Sequence, residues 1–147
     1  MKKLFIYYSF SGNVDKIAQK YKENGYEVFK VETIKPLPKL FFIRVMIDGF
    51  LAGIGAKARI KPLENNFDNY EKIVIGSPVW NGKLSCPINS VLQNKQLQQK
   101  PVSFVLASGS GKAPKIEKQI KKLFNNVKFT VLKEPLTHPT ELEKLEF

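Results

Sequence analysis

The sequence predicts a doubly wound α/β fold, a five-stranded parallel sheet with helices on both faces. Three observations predict it. Short apolar runs at residues 4–8, 72–76 and 102–107 are hydrophobic almost throughout, as strands buried on both faces require. Each run is followed by a loop of small residues and then by apolar residues at helical spacing. Finally, 147 residues at 43% hydrophobic and 25% charged content suit one compact domain over residues 1–147, and exclude a disordered or collagen-like chain.

The elements follow in order. Leu4, Phe5, Ile6, Tyr7 and Tyr8 give the first strand, which runs into Ser9-Phe10-Ser11-Gly12-Asn13. Val14, Ile17, Ala18 and Tyr21 then share one helical face, and Asn24-Gly25 ends that helix. Residues 26–31 alternate as a second strand, so the unit reads as a right-handed crossover between parallel strands. Residues 36–62 depart from the alternation: Leu40 to Leu51 look helical, while Pro36, Pro38, Gly49, Gly53 and Gly55 interrupt the region. The expectation there is one helix and a glycine-containing turn across a sheet face. Gly53-Ile54-Gly55-Ala56-Lys57-Ala58 matches a dinucleotide fingerprint by letter only, because no strand precedes it and Pro62 closes off a long helix behind it. Lys72-Ile73-Val74-Ile75-Gly76 is the third strand, and Pro87, Ile88, Val91 and Leu92 mark the helix after it. Residues 102–107 form the fourth strand, Ile116, Ile120, Leu123 and Phe124 a further helix, and residues 127–132 the last strand. The tail from 134 to 147 is acidic and proline-punctuated, with room for a short terminal helix.

Composition narrows the function classes. Cys86 is the only cysteine and His138 the only histidine, which excludes a disulfide framework or a cysteine-and-histidine metal cage within one chain. Cys86, beside Pro87 at a helix start, reads as buried, and His138 as an exposed tail residue. The formal net charge is +11, nearly all of it lysine, with Arg44 and Arg59 the only arginines. Base-edge recognition favours the arginine fork, and the lysines are spread along the chain, so the expectation is a solvated basic surface without a specific nucleic-acid site. Lys112, Lys115, Lys118, Lys121 and Lys122 form the polar side of one helix, a surface open to an acidic partner. The most lipid-like stretch, residues 40–56, is interrupted by Arg44 and Asp48, and no secretory signal follows Lys2 and Lys3. No membrane span and a cytoplasmic location are expected.

Ligands of parallel α/β sheets sit beyond the carboxyl ends of strands. Three loops there carry information. Ser9-Phe10-Ser11-Gly12-Asn13-Val14 offers small residues, backbone N–H groups and a helix N-terminus to an anion such as a phosphate monoester. The same residues also make an ordinary helix cap, with Asn13 or Ser11 holding the first turn, and both readings stay open. In Ser77-Pro78-Val79-Trp80-Asn81-Gly82, the sole tryptophan adjoins a turn pair, placing it to stack on a flat ligand or to cover the edge of the core. Ala107-Ser108-Gly109-Ser110-Gly111-Lys112 permits close backbone approach or serves as a flexible connector.

Together these loops resemble the flavodoxin family, in particular its short-chain flavodoxin-like members, over nearly the whole chain. The resemblance implies a strand order of 2-1-3-4-5 and FMN as cofactor. By position it implies that Ser9, Phe10, Ser11, Gly12, Asn13 and Val14 hold the FMN phosphate. It likewise implies that Ser77, Pro78, Val79, Trp80, Asn81 and Gly82, with Ser108, Gly109, Ser110 and Gly111, flank the isoalloxazine ring. Val14 stands where the family usually carries a hydroxyl residue, and +11 contrasts with the acidic electron carriers of the family. The implied function is electron transfer through bound flavin, as a carrier or as part of a small reductase, with a redox protein, here an acidic one, as partner. No catalytic side chain is implied, because the redox chemistry belongs to the cofactor. The alternatives are a flavodoxin-fold binding module with weak or no FMN binding, and a lysine-driven binder of anions or nucleic acid.

Overall fold

The computed structural model describes residues 2–34, 60–63 and 66–147. The helix expected at 40–51 and the glycine-containing turn after it lie outside the described residues. Strand β1 (Lys2–Tyr7) leads to helix α1 (Asn13–Glu23) and strand β2 (Glu27–Lys30). A 3-10 turn (Phe67–Asn69) precedes the long strand β3 (Tyr70–Trp80), which folds back on the short β4 (Lys83–Leu84). Helices α2 (Cys86–Val91) and α3 (Lys95–Gln98), strand β5 (Val102–Ser108), helix α4 (Pro114–Ile120), strand β6 (Lys128–Lys133) and a 3-10 turn (Pro139–Lys144) follow.

The parallel strands lie in the order β2-β1-β3-β5-β6, with β4 attached to β3. Counted without β4, this is the 2-1-3-4-5 arrangement. β1 pairs β2 from Leu4↔Glu27 to Tyr7↔Lys30 and pairs β3 up to Tyr7↔Gly76. β3 pairs β5 from Ile73↔Val102 to Pro78↔Ala107, and β5 pairs β6 from Ser103↔Lys128 to Ser108↔Lys133. The ends of β1, β3 and β5 are thereby brought side by side.

Alternation along the strands builds two core layers. Leu4, Ile6, Ile73, Ile75, Phe104 and Leu106 face α2, α3 and α4, where Ile88, Val91, Leu97, Ile116 and Ile120 close over them. Phe5, Tyr7, Val74, Val105 and Leu132 face α1 and the C-terminal Leu145. Val14, Ile17, Ala18 and Tyr21 supply the buried stripe of α1, and the Tyr21 ring stacks on Phe5 with centroids 4.3 Å apart. Val14 and Ile17 are fully buried, and burying a side chain of that kind stabilises by roughly 1.5–3 kcal/mol.

Three local readings need correction. Residues 77–80 are not a loop after the third strand; they are its last four residues. Ser77 and Pro78 continue the pairing with β5, and Val79 and Trp80 then pair antiparallel with Leu84 and Lys83. Proline invites the loop reading because it cannot donate to a ladder. Here the alternation points Pro78 to the β1 side, where pairing ends with the Tyr8 N–H bonded to the Gly76 carbonyl at 3.2 Å. Second, the helix expected to reach Phe124 ends at Ile120; Phe124 is buried beyond the helix, and Leu123 is exposed. Third, α3 was not legible, because its four residues span little more than one turn and carry one buried apolar side chain, Leu97.

Candidate functional site

The three loops singled out from sequence gather at the carboxyl edge of β1, β3 and β5. In the first, α1 begins directly after Gly12, whose φ of 95° lies in the left-handed region that glycine adopts without strain. The first intrahelical bond is Lys16 N–H to the Gly12 carbonyl at 3.1 Å, so the N–H groups of Asn13 and Val14 precede the ladder. Asp15 N–H, the next in line, donates to the buried Ser9 hydroxyl at 3.1 Å. The capping reading that gave the first turn to Asn13 or Ser11 is therefore replaced: Gly12 is the N-cap, and Ser9 supplies the hydroxyl. Asn13 is tied elsewhere, donating to Ser11 Oγ at 3.1 Å and accepting the Leu136 N–H at 2.9 Å.

That last bond comes from a segment not singled out from sequence. After β6 the chain turns at Glu134, whose N–H donates to the Ser108 carbonyl at 3.2 Å. Residues 134–136 thus bridge the loop after β5 to the loop after β1. A Cβ on Gly12 would lie 3.3 Å from Leu136 Cδ1, and the Glu134 carboxylate lies 3.5 Å from the corresponding position on Gly109. Leu136, an exposed apolar residue beside a turn, was the available signal.

The second loop is a hairpin tip. Asn81 and Gly82 both have positive φ, 49° and 72°, the pattern of a type I′ turn, whose twist suits two antiparallel strands. Trp80 enters this turn partly exposed, and its ring meets Phe10 edge-on with centroids 5.0 Å apart. Loops one and two therefore touch through aromatic side chains. The indole Nε1 is buried and has no hydrogen-bond partner among the described residues, an arrangement that costs stability until an acceptor is supplied. Ser77 is fully buried, with its hydroxyl 3.2 Å from Ser85 Oγ, so its side chain pins the hairpin to the start of α2.

The third loop is built as a compact turn. Ser108 and Ser110 hydroxyls both donate to the Lys112 carbonyl, at 3.1 and 3.3 Å, and Gly111 has a φ of 76° against the backbone of Lys133. Gly109 and Ser110 are exposed at its tip. Among the described residues lysines border these loops: Lys83 follows the hairpin turn, Lys112 ends the third loop, Lys133 packs against Gly111, and Lys115 reaches to 3.6 Å from a Cβ placed on Gly82.

Behind the first loop, Asp15 accepts from Tyr7 Oη at 3.0 Å and from Lys30 Nζ at 2.8 Å. Burial pushes the Asp15 carboxyl up, but the hydrogen bonds from Lys30, Tyr7 and Ser9 and the charge of Lys30 outweigh it and hold the group below the usual carboxylate range. Burial and the same carboxylate push the Tyr7 phenol far up, so it remains a donor. Cys86 is buried, and His138 is half-buried with Nδ1 2.9 Å from Thr137 Oγ1. Among the described residues no helix is long and apolar enough to cross a membrane.

Solved structures share this architecture. A flavoprotein from Lactobacillus acidophilus NCFM, crystallised in complex with FMN, superposes with a TM-score of 0.67 at 21% identity, covering 87% of this chain and 89% of its own. The apo form of the flavoprotein from the same organism, solved by NMR, gives 0.59 at 21% identity over 88% and 93%. A protein from Bacteroides eggerthii provisionally described as a flavoprotein gives 0.69 at 20% identity over 88% and 84%. At these identities the likeness establishes the flavodoxin-like fold. No curated protein sequence gives a significant match. Residues 9–139, which include all three loops and the segment that bridges them, match the NADPH-dependent FMN reductase family, and the chain belongs to that family.

Proposed function

We propose that the chain binds FMN at the edge of β1, β3 and β5 and passes electrons through it as a flavin-dependent oxidoreductase. The observation that carries the reading is the convergence of the Gly12-headed helix start, the Trp80 hairpin and the Ser108–Gly111 turn at one end of the sheet, in a chain of this family. The groups present fit the cofactor. The N–H groups at the start of α1 and the positive end of its dipole suit a phosphate, and the unpartnered Trp80 Nε1–H suits a ligand acceptor.

When bound, FMN supplies the capacity to accept and release electrons singly or in pairs. The protein supplies position and field. Gly12, Asn13 and Val14 hold the phosphate through their backbone; Ser9 fixes the first turn through Asp15; Ser11 and Asn13 brace one another and the bridging segment. Phe10, Val79 and Trp80 form the apolar wall beside the ring. Pro78 and Ser77 contribute the stiff backbone under that wall, and exposed Asn81, Gly109 and Ser110, with half-buried Gly82 and Gly111, offer peptide groups at its rim. Ser108 holds the third loop in shape through Lys112.

The family description points to NADPH as the electron donor. Anaerobic mixing of the FMN-loaded protein with NADPH tests this: loss of the visible flavin absorption is expected. Reduction by dithionite but not by NADPH would make the chain an electron carrier instead, and failure to retain FMN at all would leave a binding module on a flavodoxin-like scaffold.

A further inference from the structure

The lysines of this protein are not used alike. Among the described residues seven are ion-paired: Lys2 with Glu27, Lys20 with Glu23, Lys30 with Asp15, Lys61 with Glu32, Lys100 with Asp68, Lys128 with Glu146 and Lys144 with Glu141. Carboxylates are thus committed to basic partners over much of the surface. From residue 110 to residue 127 the sequence places five lysines against the single carboxylate of Glu117. None of those five has an ion-pair partner among the described residues, and all are exposed.

The fold fixes their direction. Ile116 and Ile120 of α4, with Ala113 before it and Phe124 after it, are buried in the core layer, which turns Lys115 and Lys118 of the helix outward, with Lys122 exposed in the turn that follows. Lys121 lies apart from that row, over the Phe129 ring at 5.9 Å. At its start the row adjoins the candidate site, since Lys115 reaches Gly82 and Lys112 closes the third loop. Lys83 extends the positive surface to the hairpin that carries Trp80. Like charges on one face with a single carboxylate among them repel one another, and an acidic surface relieves that repulsion while steering its own approach.

We propose that the outer face of α4 and of the turn that follows it, continued by Lys83, is the docking surface for an acidic redox protein, placed so that the partner arrives beside the Trp80 hairpin. The partner's role rests on the FMN reading above, whereas the charge recognition does not. A protein partner is favoured over nucleic acid because, among the described residues, the row carries lysine alone, without the arginine forks or exposed aromatic side chains that grip bases and phosphates.

The test compares two triple variants that remove the same charge. Lys115→Gln/Lys118→Gln/Lys122→Gln alters the proposed face; Lys2→Gln/Lys20→Gln/Lys100→Gln removes lysines that are ion-paired elsewhere. Association with an acidic ferredoxin and with an acidic flavodoxin is measured by stopped flow at low and high ionic strength, beside a single-stranded oligonucleotide. The α4 variant is expected to lose about tenfold in association rate with the acidic proteins at low salt, and the control less than about twofold, the difference closing as salt rises. Equal losses in both variants, or no salt-dependent association with either acidic protein, would overturn the docking face. Oligonucleotide binding that exceeds protein binding and depends on the same three lysines would overturn the choice of partner. Visible flavin absorption of each variant is recorded in parallel, so a chain that docks without holding FMN is distinguished from one that holds FMN without docking.

Discussion

Replacing Gly12 by valine separates the phosphate cradle from the rest of the candidate site. The residue has φ 95° and ψ −8°, a conformation that costs a residue with a Cβ roughly 1–2 kcal/mol, with a β-branched side chain among the least tolerated. The new Cβ would meet Leu136 Cδ1 at 3.3 Å, but Leu136 is 47% exposed and its tip can swing aside, so the backbone carries most of the penalty. The loop relieves that strain by rotating the peptides that precede the α1 ladder. A phosphate then loses at least one charge-assisted hydrogen bond, a loss of about 1.5–3 kcal/mol. At about 1.4 kcal/mol per factor of ten, FMN affinity should fall by about 10- to 100-fold. Riboflavin lacks the phosphate, so its affinity should change by less than about threefold, and the difference between the two ligands is the quantity of interest. Titration of the apoprotein, followed by flavin fluorescence, reads both. Equal weakening of FMN and riboflavin, or undiminished FMN binding, would refute the cradle.

Trp80 fluorescence should be quenched when FMN binds, and Trp80→Ala should weaken binding by about 1 kcal/mol or more; an unquenched indole would assign the ring to the core edge. Gly76→Ala should destabilise the fold by at least about 1–3 kcal/mol in urea unfolding, because the added Cβ would fall 2.6 Å from Phe5 Cζ and 3.0 Å from Val14 Cγ1, inside the tightly packed contact of α1 with the sheet. Wild-type stability there would show that the helix shifts freely on β3. Asp15 has its folded-state pKa held below the unfolded value, so its contribution is present above that value and is lost as pH falls through the folded one. Asp15→Asn should therefore flatten the decline of unfolding free energy below about pH 4, and an unchanged slope would show that Lys30 and Tyr7 do not favour the carboxylate.

The fold was legible where burial is two-sided. Leu4 to Tyr8 and Ile73 to Ile75 are continuous apolar runs because both core layers press on them, and Val14, Ile17, Ala18 and Tyr21 share a face because only one side of α1 is covered. Legibility failed where tertiary pairing overrides a local signal. Pro78 looks like a breaker, yet it sits in a strand whose β1 neighbour has already ended. The two-residue β4 exists only because the Asn81-Gly82 turn folds it onto Trp80, and no pattern of period two can appear in two residues.

At the candidate site the same distinction holds. Gly12 was visible as a small residue before a helix, whereas its replacement of Ser11 and Asn13 as the cap depended on Asn13 being drawn to Leu136, 123 residues away. That the Ser77 hydroxyl is buried against Ser85 could not be read from sequence, because the contact depends on the hairpin folding back onto the start of α2. The unpartnered Trp80 Nε1 could not be read from sequence at all, since it depends on what surrounds the indole.

The most direct test is a calorimetric titration of the apoprotein with FMN, with the visible spectrum recorded at the end point. One FMN per chain, retained through gel filtration and bound more tightly than riboflavin, is the result the cradle and the Trp80 hairpin require. A protein that emerges colourless and releases no heat with FMN would contradict the assignment of this sheet edge as a flavin site.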